Sequence, residues 1–60
     1  MKLIPYYVRN KKFCLEIRSP ESLTRADIVL ITKRYMQAHK LNRLPTTGQV
    51  TITLPSAAHQ

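Results

Sequence analysis

The chain has 60 residues, and its ten Lys and Arg against three Asp and Glu give a net charge of +7. We therefore expect a single domain over residues 1–60, which buries only about 60% of the surface that the unfolded chain exposes. Cys14 is the one cysteine, so an internal disulfide and a disulfide-stapled secreted scaffold are excluded. Metal binding and self-association remain as additional sources of stability.

The distribution of apolar residues predicts a soluble cytoplasmic protein with no membrane segment. Two apolar residues before Pro5 are too few for the core of a signal peptide. The longest apolar run, Ile28–Ile31, is far shorter than the roughly 18–20 residues needed to cross a bilayer. At 43% apolar residues, the chain is also too apolar for a disordered basic tail.

The first part of the chain predicts a hairpin of two strands, at about 3–9 and 12–18, with its tip at residues 9–12. Alternating apolar residues would then lie on one face of the hairpin, and a one-residue slip would turn half of them away, so the pattern indicates a register. The expected pairs are Val8 with Phe13, Tyr6 with Leu15 and Ile4 with Ile17. Because Pro5 cannot donate a ladder hydrogen bond, the first strand is expected at a sheet edge.

A helix is expected next, over about 24–42. Thr24 followed by Asp27 resembles a capping box, in which each side chain would accept a hydrogen bond from the other residue's backbone. Pro45 disfavours helix in the residue before it, and Asn42 could take the left-handed conformation that often ends a helix.

A third strand is expected at about 49–54, followed by a flexible tail at 55–60. Apolar and polar residues alternate strictly from Gln49 to Leu54, as is typical of a half-buried strand. The order β-β-α-β predicts an α+β fold, a three-stranded sheet with one helix packed on one face. The third strand can lie antiparallel to the first or, through a right-handed crossover, parallel to the second. Pro5 at an edge favours the second arrangement.

The predicted helix has two apolar faces. The face expected to cover the sheet comprises Ile28, Ile31, Tyr35 and Ala38, flanked by Val29 and Met36. On the opposite side of a helix that continues to residue 42, Leu30, Gln37 and Leu41 fall in line, which predicts self-association as a homodimer. The alternative interpretation is that the two leucines are ordinary exposed residues.

Chain direction predicts where the positive charge gathers. The second strand runs away from the hairpin tip and the helix runs back, so the C-terminal end of the helix returns to the tip. The cations expected to form or adjoin this basic pole are Arg9, Lys11, Lys12, Lys33, Arg34, Lys40 and Arg43. Such a pole predicts a basic, non-enzymatic regulatory protein that binds nucleic acid. Tyr7, on the open face of the sheet with Arg18, could stack on a base.

Two other interpretations of the same charges stay open. The chain could be a protein-interaction module that docks on an acidic or apolar partner surface. The cations could also serve only to stabilise the helix end and keep strand edges soluble.

Catalysis and metal binding have little support. Gly48 is the only glycine, so there is no glycine-rich phosphate loop. Cys14 and His39 are the one candidate nucleophile and base, and the strand pattern places Cys14 on the face away from the helix. A metal site would need Cys14, His39 and His59, which have no recognised ligand spacing. We therefore expect no enzymatic activity, no metal and no cofactor.

Overall fold

A computed structural model describes residues 2–55, which form three strands and one helix. The elements are β1 (Ile4–Asn10), β2 (Lys12–Ser19), α1 (Arg25–Ala38) and β3 (Thr47–Thr53). The sheet order is β1-β2-β3, with β2 antiparallel to β1 and parallel to β3. This confirms the predicted α+β fold and the edge position of Pro5. Of the tail predicted at 55–60, all but Pro55 lies outside the described residues.

The predicted hairpin register is wrong by two residues. Val8 pairs with Leu15 rather than with Phe13, because the turn is formed by Lys11 and Lys12 between paired Asn10 and Phe13. A two-residue shift leaves every side chain on its predicted face, so the apolar pattern cannot distinguish the two registers. The backbone of the turn decides between them. Lys11 takes a left-handed conformation with φ 57°, which closes the tight turn one residue later than expected.

The start of α1 confirms the predicted capping box. The Thr24 hydroxyl accepts a hydrogen bond from the Asp27 N–H at 3.2 Å, and the Asp27 carboxylate accepts one from the Thr24 N–H at 3.0 Å. The Thr24 N–H, which donates to the carboxylate, is the main cause that lowers the pKa of Asp27 below its ordinary value, and the Thr24 side chain lowers it further. The helix therefore begins where the local sequence places it.

The end of α1 comes at Ala38, earlier than the predicted end near residue 42. The Lys40 N–H donates to the carbonyl of Gln37 at 3.1 Å, and the Leu41 N–H donates to that of Met36 at 2.8 Å. This is the hydrogen-bonding pattern of a Schellman motif. Lys40, with φ 56°, takes the left-handed conformation that was expected at Asn42.

The core is centred on β2 because that strand has a neighbour on each side and the helix above it. Phe13, Leu15 and Ile17 are buried, and Ile28, Ile31 and Tyr35 of α1 pack against them as predicted. The other side chains packed there are Tyr6, Val8, Leu23, Leu44, Val50, Ile52 and Leu54.

Three residues expected in the core are exposed instead: Ala38, Val29 and Ile4. Ala38 is the last helical residue, and Ile4 begins the edge strand, so each lies where the helix–sheet contact ends. Val29 lies about 100° around the helix from Ile28, which turns its side chain away from the sheet. One helix is too narrow to cover the whole of a three-stranded sheet.

Candidate nucleic-acid interface

The hairpin turn is tied to the segment that follows the helix. The Asn10 side-chain amide donates hydrogen bonds to the carbonyls of Leu44, at 3.2 Å, and Pro45, at 3.0 Å. The Lys12 N–H donates to the carbonyl of Thr46 at 2.9 Å. Asn10 lies on the helix-facing side of β1, opposite Phe13, which directs its amide toward this segment. The turn and the chain after the helix therefore form one surface.

We call this surface the basic end and define it by Lys11, Lys12, Lys40 and Arg43. Lys11 and Lys12 form the turn, and Arg43 directly precedes Leu44, whose carbonyl Asn10 binds. Lys40 is the first residue after the helix cap, and all four side chains are exposed. The remaining predicted site residues lie elsewhere on the molecule.

The prediction placed Arg9 at the hairpin tip. In the structure Arg9 lies within β1, paired with Cys14. Its side chain lies on the face of the sheet that α1 does not cover, and it is exposed. Lys33 and Arg34 are exposed in the middle of α1, away from the hairpin turn. The predicted set of seven cations is therefore divided between the basic end, the helix and the open sheet face.

The cations of the basic end have no acidic partner among the described residues. Within residues 2–55 the ion pair is that of Arg18 with Glu16, whose Nε and Oε2 atoms are 3.0 Å apart. Asp27 lies at the opposite end of α1, held in its capping box. Glu21 follows the far end of β2, whose eight residues span about 23 Å at about 3.3 Å per residue. This exceeds the Debye length of about 8 Å at physiological salt, so Glu21 contributes little at the turn.

Two of the three lysines at the basic end have strained backbones. Lys11 and Lys40 are the non-glycine residues with positive φ in the described chain, at 57° and 56°. The left-handed region costs an ordinary residue roughly 1–2 kcal/mol, which glycine avoids. Hairpin turns and helix ends usually place glycine or asparagine at such positions. Here both positions carry a positive charge instead.

The open sheet face consists of three rows of residues that pair across the strands. In the middle row, Tyr7 of β1 lies beside Glu16 of β2 and Thr51 of β3. Glu16 is buried although no helix covers it, and its carboxylate has partners there: Arg18 donates to one oxygen, and the Thr51 hydroxyl donates to the other at 3.4 Å. Tyr7 is 54% exposed.

The other rows and a neighbouring depression complete this face. One row pairs Pro5, Arg18 and Thr53, and the other pairs Arg9, Cys14 and Gln49. A shallow depression on this face is lined by Leu3, Pro5, Arg18 and Glu16, and Glu16 is the residue that pairs with Tyr7. The sequence identified Tyr7 as a base-stacking candidate, but it did not reveal the Arg18–Glu16 ion pair. Their spacing of two residues on one strand is the signal that could have done so.

Cys14 and His39 lie on opposite sides of the sheet. Cys14 is half-buried on the open face, whereas the His39 ring contacts that of Tyr35, with centroids 4.5 Å apart, on the helix side. Within residues 2–55, no three His, Cys, Asp or Glu side chains gather closely enough to hold a metal ion. His59 lies outside the described residues.

The predicted self-association patch does not form as expected. Leu30 is 49% exposed on α1, and Gln37 is exposed two turns further along. Leu41 does not join them, because the helix ends at Ala38 and the left-handed Lys40 redirects the chain. Leu41 is half-buried outside the helix. Leu41 therefore does not share a helix face with Leu30 and Gln37, and self-association stays a prediction.

Comparisons with protein-family models, curated proteins and solved structures gave no match. The one helix of residues 2–55 is too short and too polar to span a membrane.

Proposed function

We propose that this chain is a small, basic, non-enzymatic regulatory protein that binds nucleic acid through the basic end. The carrying observation is that Lys11 and Lys40 occupy the two left-handed positions of this surface. A sequence selected for stability alone would gain from glycine at both positions. Lysine there adds positive charge at a cost in backbone strain, and strain of this kind is common at functional sites.

The hydrogen bonds of Asn10 and Lys12 support the proposal because they hold the turn against the segment that begins after Arg43. Binding would proceed by counterion release, as each cation neutralises one phosphate. If all four cations do so, log K should fall with log salt with a slope of about −3.6 on duplex and about −2.8 on a single strand.

The test measures fluorescence anisotropy of labelled oligonucleotides at several salt concentrations between about 50 mM and about 200 mM. Replacing Lys11 or Lys40 by glycine should weaken binding and reduce the slope by about 0.9 on duplex. The same changes should make the fold more stable, so lost affinity cannot be attributed to unfolding.

The matched control is Arg25→Ala, which removes an exposed charge at the other end of α1. This variant should leave affinity and slope nearly unchanged. Absence of binding to DNA and RNA by micromolar wild-type protein at about 50 mM salt would refute the proposed function. Equal effects of the control and the two lysine variants would refute the assignment to the basic end.

A second candidate function is docking on a partner protein through the back of α1. Val29 and Leu30 favour it, because two adjacent apolar side chains are 47% and 49% exposed. Self-association through Leu30 and Gln37 is one form of this candidate. Light scattering separates the cases: a mass that stays near 7.0 kDa at high concentration excludes a homodimer. A partner retained after nuclease treatment, and lost with Leu30→Glu, would favour docking on another protein.

A further inference from the structure

The open sheet face presents an aromatic ring that no other element covers. Tyr7 is the most exposed of the large apolar and aromatic residues in residues 2–55. Since α1 packs on the opposite face, the exposed ring contributes little to the core. Tyrosine presents a flat, rigid surface at low cost in side-chain entropy, which suits stacking against a planar ligand.

Charged side chains lie near Tyr7 in two directions, across the sheet at Glu16 and along β1 at Arg9. The Glu16 carboxylate lies beside Tyr7 on the central strand and is fixed there by Arg18 and Thr51. Arg9 lies on the same face of β1, two residues closer to the hairpin turn and so about 7 Å from Tyr7 along the strand. The paired Glu16 and Arg18 carry no net charge, whereas Arg9 would attract a phosphate.

We infer that the open face binds single-stranded nucleic acid, with one base stacked on Tyr7 and the adjacent phosphate on Arg9. The backbone of the strand would continue from Arg9 toward Lys11 and Lys12 at the hairpin turn. The depression beside Pro5 and Arg18 leaves space for the neighbouring nucleotide. This inference rests on the proposed function and narrows it to one class of ligand.

Unpaired bases are required because a duplex buries the flat faces of its bases by stacking. Proteins recognise single strands by combining a positively charged track for the backbone with aromatic side chains for the bases. Tyr7 supplies the aromatic surface, while Arg9 and the basic end supply the track. A duplex could contact the basic end but would gain nothing from the ring.

The test compares a labelled single-stranded oligonucleotide with a duplex of the same length, by anisotropy at low salt. Tyr7→Ala should weaken single-strand binding by about 5-fold to about 150-fold, which corresponds to the free energy lost with one stacked base. Tyr7→Phe keeps the ring and should retain nearly full affinity, and neither change should alter duplex binding. The control is Leu30→Ala, at a similarly exposed position on α1.

Tyr7→Thr provides a second truncation that keeps a high strand propensity, should the alanine variant fail to fold. Arg9→Gln should also weaken single-strand binding and reduce its salt slope by about 0.7. If the Tyr7 truncations bind the single strand as tightly as wild type, the inference is overturned while the proposed function stands. If wild type binds neither form of nucleic acid, both are overturned.

Discussion

Replacing Asn10 by alanine should destabilise the fold, because this side chain links the hairpin to the segment after the helix. Both of its partners, the carbonyls of Leu44 and Pro45, are acceptors, so only the amide NH₂ group can satisfy them. Among uncharged side chains, only those of Asn and Gln carry an NH₂ group with two donor hydrogens, and Gln is longer by one methylene. The link closes a loop of more than thirty residues, as the separations of 34 and 35 between partners indicate.

The magnitude follows from the two hydrogen bonds. Each contributes a net of about 0.5–1.5 kcal/mol, which gives about 1–3 kcal/mol for the pair. The side chain is half-buried, so water can reach the carbonyls in the variant, and we expect a loss of about 1–2 kcal/mol. A domain of this size has only about 3–9 kcal/mol of total stability. The loss should lower Tm by roughly 4–16 °C.

The assay is urea unfolding followed by far-ultraviolet circular dichroism, with Asn42→Ala as the control. Asn42 is exposed in the same segment, and its truncation should leave the midpoint nearly unchanged. Asn10→Asp makes the test more stringent, since a carboxylate cannot donate and would face two carbonyl oxygens. Asn10→Asp should lower the free energy of unfolding by at least as much as Asn10→Ala does. A wild-type midpoint for Asn10→Ala, or a more stable aspartate variant, would refute this reasoning.

Four further changes test other parts of the fold by the same unfolding assay. Lys40→Gly should raise the free energy of unfolding by up to about 1 kcal/mol, since glycine adopts the left-handed conformation without strain; a destabilised variant would contradict the C-cap assignment. Thr24→Ala should cost about 1 kcal/mol near neutral pH by removing the N-cap. Because the pKa of Asp27 is lowered in the folded state, its contribution is present above the ordinary value of 3.8 and is lost as pH falls from there through the folded-state pKa. Asp27→Asn should therefore destabilise at neutral pH and make little difference in strong acid; an equal effect at both pH values would argue against the capping box. Leu15→Ala should cost about 2–5 kcal/mol, because Leu15 is fully buried at the centre of a small core, and a loss below about 1 kcal/mol would mean that the core lies elsewhere.

Local features of the sequence predicted the elements and their faces. Thr24 and Asp27 define the helix start because the capping box involves only residues three apart. Strict alternation placed Leu15 and Ile17 on the buried face of β2. Pro5 marked the edge strand because it lacks a backbone donor.

The candidate site was only partly predictable from the sequence, because its residues come from parts of the chain that are far apart. Chain direction alone led to the expectation that the helix end returns to the hairpin, and the contact of Asn10 with Leu44 is compatible with it. The position of Arg9 depended on the hairpin register, and a shift of two residues moved it from the tip to the open face. Its new neighbour along β1 is Tyr7, which is what makes the stacking inference possible.

The sequence by itself determined the order of elements, the start of the helix, the edge strand and the face of each strand, since these depend on residues close together in the chain. The tertiary structure alone decided the hairpin register, because registers that differ by two residues bury the same side chains. It also decided where the helix ends: Lys40 has no intrinsic preference for the left-handed conformation. At that point the chain leaves the helix and reaches the hairpin, where Asn10 and Lys12 bind its backbone.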